Sequence, residues 1–248
     1  MRLKDKVAFI TGGTSGIGLE TAKLFRAEGA QLAIVGSDSG RLEAAGKELG
    51  KDVLLLRADL RKVSDIETAV EKAKAKYGHI DVVFANAGAT KVAPLEAVTP
   101  QLIEEDFALN FSGVFFTIQK AVPFIPKGGS IIITTSFLNT VGLQGLSILS
   151  ATKAATRSLV RTLGAELAPR GIRVNAVSPG AISTPFYSKM GLTEAQVKGV
   201  AEGLQAKIAL KRFGEAAELA KSVLFLASDD SSYTTGIELV VDGGLTQF

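Results

Sequence analysis

Cysteine and tryptophan are absent from the chain, and histidine occurs once. The missing cysteine excludes disulfides, thiolate-bound zinc and a cysteine nucleophile. The single histidine, His79, lies in the loop Gly78-His79-Ile80-Asp81 and is expected to face solvent, which argues against histidine acid–base or triad chemistry. No cluster of acids and histidine has metal-ligand spacing, so no metal is expected. No apolar run approaches the ~18 residues of a membrane span. The basic start Met1-Arg2-Leu3-Lys4-Asp5-Lys6 precedes only Val7-Ala8-Phe9-Ile10, too short for a signal-peptide core. A cytoplasmic location is the expectation. Net charge is +3 and the isoelectric point near 9.0. Basic residues are nevertheless scattered among acidic ones with no basic face or arm, so no nucleic-acid partner is expected.

What is present is an alternation. Apolar, β-branched runs at residues 7–10, 31–35, 53–56, 82–85, 130–134, 173–177 and 238–241 are separated by helical patterns. The helices are expected from the glycine turn to Gly29, over 40–49, up to Tyr77-Gly78, over 100–122, over 150–168, and closing at 223–227. Repeated β-α units of this kind predict an α/β fold, a doubly wound parallel sheet with helices on both faces. With 248 residues, 46% of them hydrophobic, one large core and a single domain over 1–248 are expected. The least regular stretch, about 182–213, follows a strand's carboxyl end, where such sheets bind ligands, and reads as a lid.

Thr11-Gly12-Gly13-Thr14-Ser15-Gly16-Ile17-Gly18 joins the first strand to the first helix. Glycines let the chain turn tightly and let backbone N–H groups approach a phosphate, and the helix N-terminus favours an anion. The spacing is G-x-x-x-G-x-G rather than G-x-G-x-x-G. Asp38, about 20 residues further on, either takes the ribose hydroxyls of an adenosine or is an exposed turn residue. Asp59, at the end of the third strand, either caps a turn or accepts from adenine. Asn86-Ala87-Gly88 suits a tight turn at the sheet's carboxyl edge. Asn110 falls within the apolar stripe Ile103, Phe107, Phe111, Val114 and Ile118, where a buried amide must find partners. Ser136 ends the fifth strand, and Lys153 lies among small residues in Ser150-Ala151-Thr152-Lys153-Ala154-Ala155, with Leu149 one helical turn earlier on the same face.

In this order and over this length, these residues resemble the single-domain short-chain dehydrogenase/reductase family. Asn175-Ala176-Val177-Ser178-Pro179-Gly180 and the terminal Val241-Asp242-Gly243-Gly244 extend the match to the whole chain. Bacterial secondary-alcohol dehydrogenases (ketoreductases) are the nearest in pattern. The resemblance implies about seven parallel strands with an NAD(P) cofactor along their carboxyl edge. It assigns the pyrophosphate to the turn bearing Gly12, Thr14, Ser15, Gly16, Ile17 and Gly18. Ser37 and Asp38 fall to the ribose, Asp59 and Leu60 to the adenine, and Asn86, Ala87 and Gly88 to the adenosine side. Lys153 would hold the nicotinamide ribose, and Pro179, Gly180, Ile182 and Thr184 the nicotinamide end. Ser136 would bond the substrate oxygen, and Asn110 would anchor a water relaying protons to Lys153. The substrate pocket would include Phe137, Val141, Leu143, Leu146, Leu149, Phe186 and Tyr187, an apolar lining for bulky or aryl ketones and secondary alcohols. A homotetramer is also implied.

Two departures stand out. The family pattern places tyrosine four residues before the lysine, as the group that gives or takes the proton; Leu149 occupies that position. Either carbonyl reduction is impaired, or another group such as Tyr187 serves, or the nucleotide-bound protein does non-redox work. Gly36 and Ser37 also stand where relatives tend to carry Asp for NAD or Arg for NADP. With Asp38 nearby and no arginine fork expected for a 2′-phosphate, NAD(H) is slightly favoured over NADP(H).

Overall fold

The computed structural model describes residues 1–187 and 190–248. Val7–Thr11 (β1), Gln31–Gly36 (β2), Leu54–Arg57 (β3), Val82–Ala85 (β4), Ser130–Thr134 (β5), Arg173–Pro179 (β6) and Glu238–Val241 (β9) form one seven-stranded sheet in the order β3-β2-β1-β4-β5-β6-β9. Every pairing is parallel. Residues of β1, β4 and β5 are buried throughout, which explains why their sequences are unbroken apolar runs rather than alternating ones. One core packs helices α3 (Val63–Tyr77), α5 (Gly113–Ala121) and α6 (Ser147–Leu167) on one face of the sheet. The other packs α1 (Gly16–Ala27), α2 (Ser39–Leu49) and α8 (Ala216–Ala227) on the opposite face. The expected doubly wound architecture is therefore the observed one.

Strand order reverses beside β1, where β2 lies on one side and β4 on the other. Thr11 and Ala85 pair in register, so the glycine turn and Asn86-Ala87-Gly88 leave the sheet side by side. That crevice is where ligands bind in open α/β sheets.

The expected helix over 100–122 is broken into parts. Thr99 caps α4 (Pro100–Phe107) by accepting from the Leu102 N–H, with proline at the first turn. Ala108–Ser112 is then one π-helical turn, in which Gly113 N–H donates to the Ala108 carbonyl, before α5 resumes. The expected apolar stripe divides at this turn. Val114 and Ile118 are buried, but Ile103 is exposed and Phe107 and Phe111 are only partly covered. Asp106 and Asn110 are the buried residues of the first half.

Helix α6 starts at Ser147, earlier than the sequence pattern suggests, and so includes Leu149 in its first turn. The expected lid over 182–213 contains Ser188 and Lys189, which lie outside the described residues. Its two ends are tied together where Ile182–Ser183 (β7) pairs with Gly214–Glu215 (β8), and it carries α7 (Glu194–Lys207), begun by a Thr193–Gln196 capping box.

Candidate active site

A single cleft of about 480 Å³ runs along the carboxyl edge of the sheet, from Asp38 and Asp59 at one end to Leu149 and Tyr187 at the other. It is of the size typical for small-molecule sites. Of the candidate residues only Gly18 and Val141 do not line it; Gly18 shapes the turn from behind, and Val141 packs against the apolar cluster around Leu149.

The glycine turn is built by close approach. Gly12 has φ +65°, and a Cβ there would lie 2.9 Å from the Ala87 Cα. At Gly18 a Cβ would collide with the Gly12 carbonyl. Thr11 Oγ1 accepts from the N–H groups of Asn86 (3.0 Å) and Ala87 (3.1 Å), locking the two loops together. Asn86 adds a clamp: its Nδ2 donates to the Thr11 carbonyl at 3.2 Å, and its Oδ1 accepts from Thr134 Oγ1 at 3.1 Å. Asn86 thus has the supporting role that a turn residue at this edge was expected to have. Ser15 precedes α1 in extended conformation, and its side chain makes no capping bond. The first N–H groups of α1 and the Thr14 and Ser15 hydroxyls therefore open onto the cleft, a cradle fit for a pyrophosphate. Thr184 lies over Gly16, bringing the start of the lid to this cradle.

At the end bearing Asp38 and Asp59 the carboxylates are engaged. Asp38 caps α2, accepting from Arg41 N–H at 2.8 Å, with the Arg41 guanidinium 3.7 Å away; this bonding holds its carboxyl below the usual range. Asp59 accepts from Arg61 Nε and Nη2, both at 2.8 Å, and is likewise held low. Two arginines nevertheless stand at this end: Arg41 and Arg61 both line the cleft, Arg61 paired with Asp59. Arg41 escaped the sequence reading because it is displaced by four residues from the position that usually carries the arginine. One turn of α2 brings it back to the same end.

Beside Pro179, a Cβ on Gly180 would lie 2.5 Å from the Asp242 Cα. Asp242 in turn accepts from the N–H groups of Gly244 (2.8 Å) and Thr246 (2.9 Å). The C-terminal motif is therefore the floor beneath Pro179 and Gly180.

Asn110, Ser136, Leu149 and Lys153 line the same cleft. Lys153 is buried and donates to the Thr134 carbonyl at 2.7 Å. Burial pushes its ammonium down to about 8, with Asp106 opposing that shift. Asn110 is fully buried. Its Nδ2 donates to the Ala89 carbonyl (2.8 Å) and to Asp106 Oδ1 (3.0 Å), while its Oδ1 has no hydrogen-bond partner among the described residues. Asp106 Oδ2 accepts from Thr90 Oγ1 at 2.7 Å, and burial raises its carboxyl. Asp106 was missed in the sequence. The signal was an acid four residues before a buried amide on one helix. Ser136 Oγ accepts from the Leu138 N–H at 3.2 Å, leaving its proton for another acceptor.

Leu149 is buried among Phe137, Leu138, Leu146, Met190, Leu204 and Ile208. Phe186 and Tyr187 pack against the same cluster, with ring centroids 6.1 Å apart. Tyr187 is hydrogen-bonded to the Ile182 backbone, and burial pushes its hydroxyl up to about 12. Leu192, Val197 and Val200 of the lid complete the apolar wall. His79 lies at the opposite edge of the sheet, half exposed and 2.9 Å from Asp81, outside the cleft. Among the described residues no three acids or histidines are grouped to hold a metal, and no helix is long and apolar enough to cross a membrane.

Residues 12–246 match the protein-family model described as enoyl-(acyl carrier protein) reductase. The chain is 40% identical to the oxidoreductase asL5 of Sarocladium schorii, over 99% of this chain and 98% of that protein. It is also 40% identical to the 3-oxoacyl-(acyl-carrier-protein) reductase FabG of Thermotoga maritima, covering 99% of both. A short-chain dehydrogenase from Burkholderia cenocepacia, solved in complex with NADP, superposes with a TM-score of 0.91 at 30% identity, covering 99% of each chain.

Proposed function

The chain belongs to the short-chain dehydrogenase/reductase family, and from that premise we propose that it interconverts secondary alcohols and bulky, apolar ketones by hydride transfer. It is an oxidoreductase of a family that binds NAD(P). The observation that carries the finer reading is the continuity of one cleft, which joins the glycine cradle to an apolar chamber with Ser136 and Lys153 at the junction. When bound, the nicotinamide supplies the hydride. The chain's own residues do the rest: the Gly12–Gly18 turn and α1 hold the pyrophosphate, Pro179 and Gly180 support the far end, and Ser136 donates to the substrate oxygen. The apolar wall around Leu149 excludes water and favours aryl or branched ketones over sugars or acids.

Leu149 sets the rate low, because a positioned acid contributes about 10²–10⁴-fold and leucine carries no proton. The argument for NAD(H) rested on an inward Asp38. With that carboxylate spent on capping α2, the choice between NAD(H) and NADP(H) turns on Arg41, which stands beside Ser37 in the cleft. A homotetramer is part of the reading, supported by the exposed Ile103 and Phe248; a monomeric mass in sedimentation would refute it.

The test is cofactor-dependent absorbance change with a panel of ketones and secondary alcohols, alongside fluorescence titration with NADH and NADPH. Slow turnover of aryl ketones is the expected result. Tight dinucleotide binding without turnover would instead favour a nucleotide-binding protein with non-redox work, the reading that a buried, protonless Leu149 allows.

A further inference from the structure

With leucine at 149, the proton needed by a reduced carbonyl oxygen must come from elsewhere, and a buried polar cluster lies directly behind the cleft. Building on the proposed reaction, we infer that Lys153 is itself the proton donor and that Asp106 is the positioning residue that arranges Asn110 and Lys153 for it.

Geometry comes first. Lys153 is one turn beyond Leu149 on the same buried face of α6. Helical side chains lean toward the N-terminus, so its Nζ comes back to the level of Leu149. There it bonds the Thr134 carbonyl, two residues before Ser136. One of the three ammonium protons is used by that bond, which leaves two for the cleft. Asn110 cannot reverse its amide, because Ala89 and Asp106 both take its Nδ2 and Thr90 fixes Asp106 from behind. Its partnerless Oδ1 is therefore aimed at Gly88. A methyl group built on Gly88 would stand 2.8 Å from Asn110 Oδ1 and 3.7 Å from Lys153 Nζ. Asn110 Oδ1 and Lys153 Nζ thus both lie close to the Gly88 backbone, where a water entering from the cleft would bridge them.

The elements around Lys153 present few charges. Helix α4 contributes the Asp106 carboxylate, the π turn Asn110, β5 the Thr134 carbonyl, and the lid the neutral Tyr187; Asp106 is the charged group acting on the ammonium. An ammonium brought down to about 8 by burial is close to the optimum for an acid at neutral pH.

The step balances as follows. The bound nicotinamide would supply a hydride to the carbonyl carbon. The C=O π pair takes a proton from Nζ, directly or through one water in the volume a tyrosine ring would fill. The resulting neutral amine is reprotonated through the water at Asn110 Oδ1. Oxidation of an alcohol runs the same path in reverse.

The experiment measures two pH profiles on the full chain and on Asp106→Asn. One is kcat/KM for reduction of a ketone from the panel. The other is acetic anhydride labelling of Lys153, read by mass spectrometry, which needs no turnover. Reduction is expected to be flat at low pH and to fall above about pH 8, with labelling rising over the same range. Asp106→Asn removes the charge that favours the ammonium, so both midpoints should move to lower pH by at least half a unit; Asp106→Glu should bring them back. A limb absent below about pH 10, a limb unmoved by Asp106→Asn, or loss of activity in Tyr187→Phe overturns the inference while sparing the reaction. Dinucleotide binding with no carbonyl turnover overturns both. Should Asp106→Asn not fold, Gly88→Ala tests the same connection, and a kcat lowered less than tenfold counts against it.

Discussion

At one end of the cleft Gly12 and Gly18 bring backbone against backbone, and the groups on offer are main-chain N–H donors and short hydroxyls. At the other end Phe137, Leu146, Leu149 and the lid residues crowd side chain against side chain, and polar atoms are few, chiefly those of Ser136, Lys153 and Tyr187. The difference teaches which end tolerates change. A cradle made of backbone depends on having no side chains, so almost any substitution damages it. A chamber made of side chains can exchange one for another and still fold, because a leucine such as Leu149 fills space and needs no hydrogen-bond partner. On the proposed reading, binding and chemistry are thus separable in this molecule.

The sharpest break of that comparison is Leu149→Tyr. If the chamber lacks only its acid, initial-rate assays should show ketone reduction rising about 10²-fold or more, within the range a positioned acid provides, and NAD(P)H affinity unchanged within about twofold. A rate that stays flat in a folded variant would mean that Lys153 or the lid has been rearranged around leucine. Next in size is Gly12→Val, which should weaken NADH and NADPH binding by at least about tenfold in a fluorescence titration. Valine at φ +65° is strained and would press on Ala87. Arg41→Ala should raise the NADPH dissociation constant about tenfold and the NADH value far less, since only NADPH brings a 2′-phosphate to the guanidinium. Equal loss of both would remove Arg41 from cofactor choice. Asp38→Ala should be the smallest effect, a Tm lower by about 2 °C through loss of the α2 cap. A larger change in NADH affinity than in Tm would restore the ribose role to Asp38.

Much of the fold was legible because a buried parallel sheet writes its strands as unbroken apolar runs. β1, β4 and β5 were found within a residue of their ends for that reason. The site was legible where local backbone chemistry demands a residue type, as at Gly12 and Gly180, whose missing side chains admit Ala87 and Asp242. Arg41 and Asp106 were not, since each reaches the cleft or Asn110 through a helical turn that sequence position alone does not orient. The apolar stripe Ile103, Phe107 and Phe111 misled, because a π turn changes the phase of the helix between residues 107 and 113.

That π turn has a consequence for how the chain tolerates length change. Each residue advances a helix by ~100°, so the additional residue held in Ala108–Ser112 offsets α5 by nearly a third of a revolution relative to α4. Deleting any single residue there would let a regular helix run from Pro100 to Ala121. It would then have to choose between seating Val114 and Ile118 in the core and pointing Asn110 at Lys153. A one-residue deletion in this segment should therefore be more damaging than several point substitutions, and a compensating insertion nearby should undo it.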